Sequence, residues 1–330
     1  MKICKPLKDA AFQCLAGACP DTCCAGWEIP VDETSAARYD AMQGAWGERL
    51  RESMTEVDGE RQFRRRADGR CVLLQEDGLC ALYGELGREQ LCRTCDGHPR
   101  FIAEYGGLRE VMPGLSCPEW AAKWLMTDES AAFITEETGE LPTWNDIDGA
   151  LFYRLKKARA SALAILQDRT RPLRERICDY LTLVEETDGA EETDTSDRIL
   201  PVYIEKLRQQ EILTERWNEL LAAKHPQVEQ LWREIVGEQI LVYYVFRFWL
   251  KGVYDGRVLP WAKFAVWSYL VICALGADCT ARADFCEVAR LYAKETEHNA
   301  ENVEKLHRCL CRRSGRYSAA GLRRALEELS

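Results

Sequence analysis

CLAGACPDTCC, residues 14 to 24, puts four thiols at Cys14, Cys19, Cys23 and Cys24 within eleven residues, and Ala25-Gly26-Trp27 follows at once. A second group lies downstream: Cys71, Cys80, the pair Cys92-Arg93-Thr94-Cys95, then His98-Pro99-Arg100 and Ser116-Cys117-Pro118. Two residues between cysteines let both sulfurs turn to one centre, so Cys92 and Cys95 read as a two-ligand loop. Neighbouring side chains diverge, so Cys23 and Cys24 either divide between ligation and packing or serve two centres.

The chain has 330 residues and sixteen cysteines, ten of them at or before Cys117. The first seventeen residues carry Lys5, Lys8 and Asp9 where a secretory signal needs an unbroken apolar run, which predicts a cytoplasmic protein. Thiols there stay reduced, so metal ligation accounts for the cysteines better than a disulfide framework. The ligands are drawn from Cys14, Cys19, Cys23, Cys24, Cys71, Cys80, Cys92, Cys95 and Cys117, not all on one centre, and thiolate chemistry fits either zinc or an iron-sulfur cluster. Cys279, Cys286, Cys309 and Cys311 sit in helical patterns and read as structural.

Residues 1–125 are interrupted by Gly, Pro and Asp, and only Glu33 to Glu52 looks helical. Such a segment builds little core of its own and needs metal staples. After a linker, 126–149, three- and four-residue apolar spacing takes over, as in Leu151, Leu155, Ala158, Ala162 and Ile165. The stretches 150–184, 199–223, 227–250, 258–276, 281–297, 299–312 and 318–329 all read as helices. The expected fold is mainly α: an irregular, cysteine-rich metal-binding N-terminal domain, then a helical domain over 150–330. The acidic stretch from Glu185 to Asp197 reads as a loop.

A formal charge of −10 argues against a nucleic-acid groove, and the longest apolar run, Phe264 to Ala277, is too short to span a bilayer. Neither nucleic acid nor membrane is an expected partner. The basic run Arg61, Arg64, Arg65, Arg66 and Arg70 reads as a solvated face or as a docking patch for an acidic partner or a cofactor carboxylate.

These motifs resemble the flagellin lysine N-methylase family. The matching pieces are Phe12-x-Cys14, Asp21-Thr22-Cys23-Cys24-x-Gly26-Trp27, Asp32, Tyr39, Gly78-x-Cys80, Leu86-Gly87, Leu91-Cys92-x-x-Cys95, Pro99-Arg100 and Leu115-Ser116-Cys117-Pro118. The first half of the set also resembles the zinc- or iron-chelating cysteine-cluster domains. The resemblance is dense over roughly residues 4 to 125. It implies S-adenosylmethionine as methyl donor, a lysine of flagellin as acceptor, and a 4Fe-4S cluster, or alternatively zinc, held by the N-terminal thiols.

No G-x-G occurs in the chain, so the glycine turn of an ordinary methyltransferase fold is absent. Cys19-x-x-x-Cys23-Cys24 also departs from the three-cysteine spacing of radical S-adenosylmethionine enzymes. Polar and aromatic residues beside the thiols are the candidates for chemistry: Asp32, Tyr39 and His98 for catalysis, and Trp27, Arg100 and Glu119 for cofactor binding. Each also has a scaffold reading, His98 as a loop side chain bonded to backbone. Two other functions fit a thiol-rich domain, a non-catalytic zinc- or iron-chelating binding module and an electron-transfer iron-sulfur protein. Replacing Cys92 or Cys95 by Ser should lower metal content and destabilise the front half, whereas the same change at Cys279 or Cys286 should leave metal content unaltered, as elemental analysis would read.

Overall fold

The sequence leads residues 2 to 6 straight into a strand, β1 (Lys2–Pro6), which becomes the interior of a four-stranded sheet. The computed structural model describes residues 1–142, 144, 147–189, 193, 199–225 and 232–329. Next in the chain, β2 (Met54–Val57) and β3 (Glu60–Phe63) form a separate hairpin. Its two-residue turn is Asp58-Gly59, with φ of 52° and 83°, as the strand twist requires of a tight hairpin. A second tight turn, Gly106-Gly107, joins β4 (Arg100–Tyr105) to β5 (Leu108–Pro113). The last strand, β6 (Phe133–Glu137), lies inside the stretch read as linker. The main sheet runs β4-β5-β1-β6, with β1 parallel to β5 and antiparallel to β6.

This sheet was not expected. Its strands are short, and β1 and β6 pair across more than a hundred residues, Lys5 opposite Ile134 being one pair among five. Local periodicity cannot foresee such pairing.

The rest is mainly helical, close to the sequence reading. Helices occupy Gly149–Leu166, Leu173–Asp188, Ile199–Arg208, Glu215–Ala222, Arg233–Phe248, Leu259–Leu275, Arg282–Glu297, Ala300–Leu310 and Ala319–Glu328. Side-chain oxygens of Asp148, Thr214, Asn299 and Ser318 cap four of these at their first turn. The stretch 150–184 is two helices because Pro172 offers no amide donor and disfavours a helical residue before it. Parts of two expected segments, 190–192 and 194–197 of the acidic stretch and 227–231 of a helix, lie outside the described residues. Leu259–Leu275 is apolar on all sides and is accordingly buried, packed chiefly on Arg233–Phe248. No helix among the described residues is long and apolar enough to cross a membrane.

Two hydrophobic cores result. The smaller collects Ile29, Tyr39, Leu50, Phe63, Leu73 and Leu82 with Cys71 and Cys92. The larger joins Tyr105, Leu108, Met112, Trp120 and Trp124 to the helices that follow. Sheet and bundle are also bolted together by a buried ion pair. Glu110 of β5 accepts both terminal nitrogens of Arg159, and Arg159 also donates to the Phe246 carbonyl at 3.2 Å. The two side chains are only 7% and 5% exposed. Arg159→Ala should therefore cost about 3–5 kcal/mol in urea unfolding by stranding Glu110, and the double change Glu110→Leu with Arg159→Met should cost clearly less.

Candidate functional site

Two thiol-bearing loops are shaped by polar side chains of the small core. Asp32 caps the Glu33–Ala41 helix through Ser35 N–H at 3.1 Å, and its other oxygen accepts Arg93 N–H at 2.9 Å. Burial opposes its charge, yet those amides hold its carboxyl below the usual range. Arg38 and Tyr39 bind the carbonyls on the other side of the loop: Tyr39 Oη donates to Gln90 O at 2.6 Å, and Arg38 donates to Leu91 O at 3.0 Å. Cys92 and Cys95 thus hang from a loop fixed at both ends. Backbone pairing does the same for Cys24 and Cys71, where Cys71 N–H donates to Cys24 O at 2.7 Å.

The thiols fall into two neighbourhoods. Cys24, Cys71, Cys80, Cys92 and Cys95 surround the small core and act on one another's ionisation. Cys14, Cys19 and Cys117 form the other, Cys117 at the start of the Pro118–Leu125 helix. Cys23 lies between them, its thiol drawn down chiefly by a hydrogen bond with Cys24. Burial pushes Cys71 and Cys117 up to about 11. Cys92 and Cys95 also share a hydrogen bond, thiol to thiol, which lowers Cys92 and raises Cys95. The donor chemistry is that of a soft, thiophilic metal. Among the described residues, however, no three His, Cys, Asp or Glu side chains stand around a common point ready for an ion.

The second neighbourhood is gripped by the helical half. Asp21 takes Arg290 at 2.6 Å and Lys294 at 2.7 Å, both from the Arg282–Glu297 helix. Arg290 also donates to the Ser116 carbonyl at 3.2 Å. Leu115 N–H donates to Tyr243 Oη at 3.2 Å, and that hydroxyl donates on to Glu297 at 2.9 Å. Ser116 Oγ lies 2.6 Å from His298 Nε2.

Around this grip the rings of Trp27, His98 and His298 touch pairwise, with centroids 5.3 to 5.7 Å apart. Phe101 packs on His298 at 5.5 Å. Burial holds His98 down to about 4 and His298 to about 3, so both are neutral imidazoles at pH 7. Burial acts the other way on the carboxyl of Glu297, lifting it to about 7 against the pull of Arg247 and the two tyrosines, Tyr243 and Tyr244. The junction thus holds two neutral bases, an acid poised near neutrality and a wall of rings.

No family profile matches the chain, and no solved structure matches it. Curated proteins do. A lysine-N-methylase of Salmonella typhimurium is 29% identical over 153 residues, covering 41% of this chain and 35% of that protein. The lysine-N-methylase of Salmonella choleraesuis gives the same figures. The flagellar biosynthetic protein FliU of Salmonella muenchen is 29% identical over 145 residues, covering 38% of this chain and 78% of that protein. Over these residues the chain is similar to lysine-N-methylases and to FliU. The match spans 35% of the length of the two lysine-N-methylases.

In this methylase-related chain the residues singled out from sequence do not all meet. Trp27 and His98 stack on each other at the junction, and Trp27 Nε1 donates to Cys23 O at 2.9 Å. Asp32 and Tyr39 lie beside the Cys92 loop and are occupied in shaping it. Arg100 is paired with Asp9 at 3.0 Å and covers the Phe12 ring. Glu119 pairs with Lys123 one turn along its helix. The basic run is absorbed locally: Arg61 on Asp40, Arg64 on Glu52 O, Arg65 on Glu28, Arg66 on Leu74 O and Arg70 on Asp68. Sequence reasoning missed Ser116, Tyr243, Glu297 and His298 as site residues. The signal for His298 was slight: it is one of four histidines and ends a helix.

The two buried groups bend stability with pH in opposite directions. Folded His298 stays neutral to about pH 3, while the unfolded residue protonates near 6.5, so acidification through that window favours unfolding. Folded Glu297 keeps its proton to about pH 7 against 4.5 when unfolded, so raising the pH from 4.5 to 7 costs stability. Urea midpoints measured across this range should fall less steeply on the acid side in His298→Gln, and less steeply towards neutrality in Glu297→Gln.

Proposed function

We propose that the protein is a cytoplasmic protein-lysine N-methyltransferase that transfers a methyl group from S-adenosylmethionine to lysines of flagellin, with the junction of thiol loops and helical bundle as its site. The observation that carries this reading is the convergence of Trp27, His98, Phe101, His298 and Glu297 beside two cysteine loops, in a chain related to lysine-N-methylases.

The chemistry sets the demands. A lysine amine has a reference pKa near 10.4, and only its neutral form has a lone pair to attack the donor methyl. As the N–C bond forms, the C–S bond breaks, its electron pair returns to sulfur as a neutral thioether, and one amine proton must leave. Removal from water in the buried junction disfavours an ammonium there, which lowers its pKa. The neutral imidazoles of His98 and His298 accept hydrogen bonds from an uncharged amine and add no positive charge. Glu297 has a proton affinity matched to neutral pH, and Tyr243 connects it to Leu115, next to Ser116. Desolvation and alignment supply the rest of the rate, since the reaction needs no nucleophile from the protein.

A metal group, 4Fe-4S by preference, would be held by thiolates from the set Cys24, Cys71, Cys80, Cys92 and Cys95. Their soft-donor chemistry supports it, although the paired thiols stand Sγ to Sγ rather than about a point. Bound there, the group would supply the strong cross-links that a segment with so small a core needs.

Full-length protein prepared without oxygen should contain iron and acid-labile sulfide, bind S-adenosylmethionine in calorimetry, and add methyl mass to co-expressed flagellin. Flagellin of unchanged mass together with absent donor binding would overturn the transferase reading. Zinc without sulfide would overturn only the cluster.

A further inference from the structure

The Arg233–Phe248 helix and the turn Trp249–Lys251 that continues it bring two cations, Arg247 and Lys251, to the edge of the junction. Among the described residues Arg247 has one loose ion pair, with Glu297, and Lys251 has none. Arg247 is 11% exposed, and its Nε is buried without a hydrogen-bond partner. Its nearest carboxylate, that of Glu297, stands 3.6 Å away, beyond hydrogen-bond reach. The ammonium of Lys251 rests 5.0 Å from the Phe248 ring centre and 5.2 Å from that of Trp261. The charges acting on it are those of Arg247 and Glu297.

Glu297 does not balance the two. It already accepts the Tyr243 hydroxyl on both oxygens, and burial keeps it partly protonated near neutrality. Two half-buried cations thus face one weak acid, an arrangement that is costly unless an anion completes it. Desolvation and the neighbouring guanidinium lower Lys251 to about 8, as expected of an ammonium short of a counter-ion. Arg247 is also prepared in shape. Its guanidinium lies 3.8 Å over the centre of the Phe101 ring, which holds the group by one face and leaves N–H bonds free at its edge. Phe101 in turn packs on His298, so this corner adjoins the ring cluster.

We propose that Arg247 and Lys251 form a carboxylate-binding subsite. Resting on the methyl-transfer reading, its ligand is the carboxylate at the amino-acid end of the donor. Arg247 receives it through paired N–H donors, and Lys251 adds a point charge. The donor's amino-acid end would then be anchored without the glycine turn that this chain lacks.

Calorimetry on the full chain tests this with three probes: S-adenosylmethionine, methylthioadenosine, which keeps the nucleoside and sulfur but has no carboxylate, and L-methionine. The parent should bind S-adenosylmethionine more tightly than methylthioadenosine. Lys251→Met and Arg247→Gln should weaken S-adenosylmethionine about ten- to hundred-fold and leave methylthioadenosine unchanged. Lys251→Met keeps the apolar stem and removes an unpaired charge, so its thermal midpoint should not fall, and Arg247→Lys should recover part of the binding. If both variants bind S-adenosylmethionine as the parent does, the two cations are only ring-stacking staples: the subsite falls and the transferase reading stands. If the parent binds L-methionine in a manner lost in the variants but does not bind S-adenosylmethionine, the subsite stands and the donor assignment falls. A parent that binds neither carboxylate overturns the subsite.

Discussion

The Asp21 carboxylate, shared between Arg290 and Lys294, is the interaction on which the rest of the junction depends. Asp21 lies between Cys19 and Cys23 in a loop that has little regular structure to hold it. Burial raises the cost of its charge, but the two cations and the Thr22 amide more than offset that, and the carboxyl sits below its usual range. Because Arg290 also reaches the Ser116 carbonyl, one helix fixes two cysteine-bearing loops at once. Trp27, three residues beyond Cys24, is thereby brought against His298.

A second constraint acts through buried charge elsewhere. Glu110 and Arg159 join β5 to the Gly149–Leu166 helix, and Glu238 gathers Arg169 and Arg176 inside the bundle. Removing one partner of such a pair leaves a charge with neither water nor counter-ion, so these contacts admit only one seating of sheet on helices. That seating brings Phe101, at the start of β4, under Arg247 and beside His298. The aromatic wall is thus built from the sheet, the thiol loops and the bundle together.

The polarity of the site follows from the same packing. His98 and His298 are neutral because burial penalises imidazolium, and Glu297 is a weak acid because burial penalises carboxylate. Exposed on a surface, the same side chains would have ordinary proton affinities. Such surroundings, tuned away from charge, suit the neutral amine that the proposed methyl transfer requires.

Much of the architecture was legible from residue order. Cysteine spacing marked the loops, and apolar periodicity found nearly every helix of the second half. These are local signals, carried by hydrogen bonds and burial within a few residues. Sequence also picked out Trp27 and His98, because they stand next to thiols. Tertiary structure alone decided the rest: the pairing of β1 with β5 and β6, and the meeting of Ser116 with His298 across 182 residues and of Asp21 with Lys294 across 273. Such contacts leave no periodic trace in the chain, because their free energy comes from buried partners that only the folded packing makes neighbours.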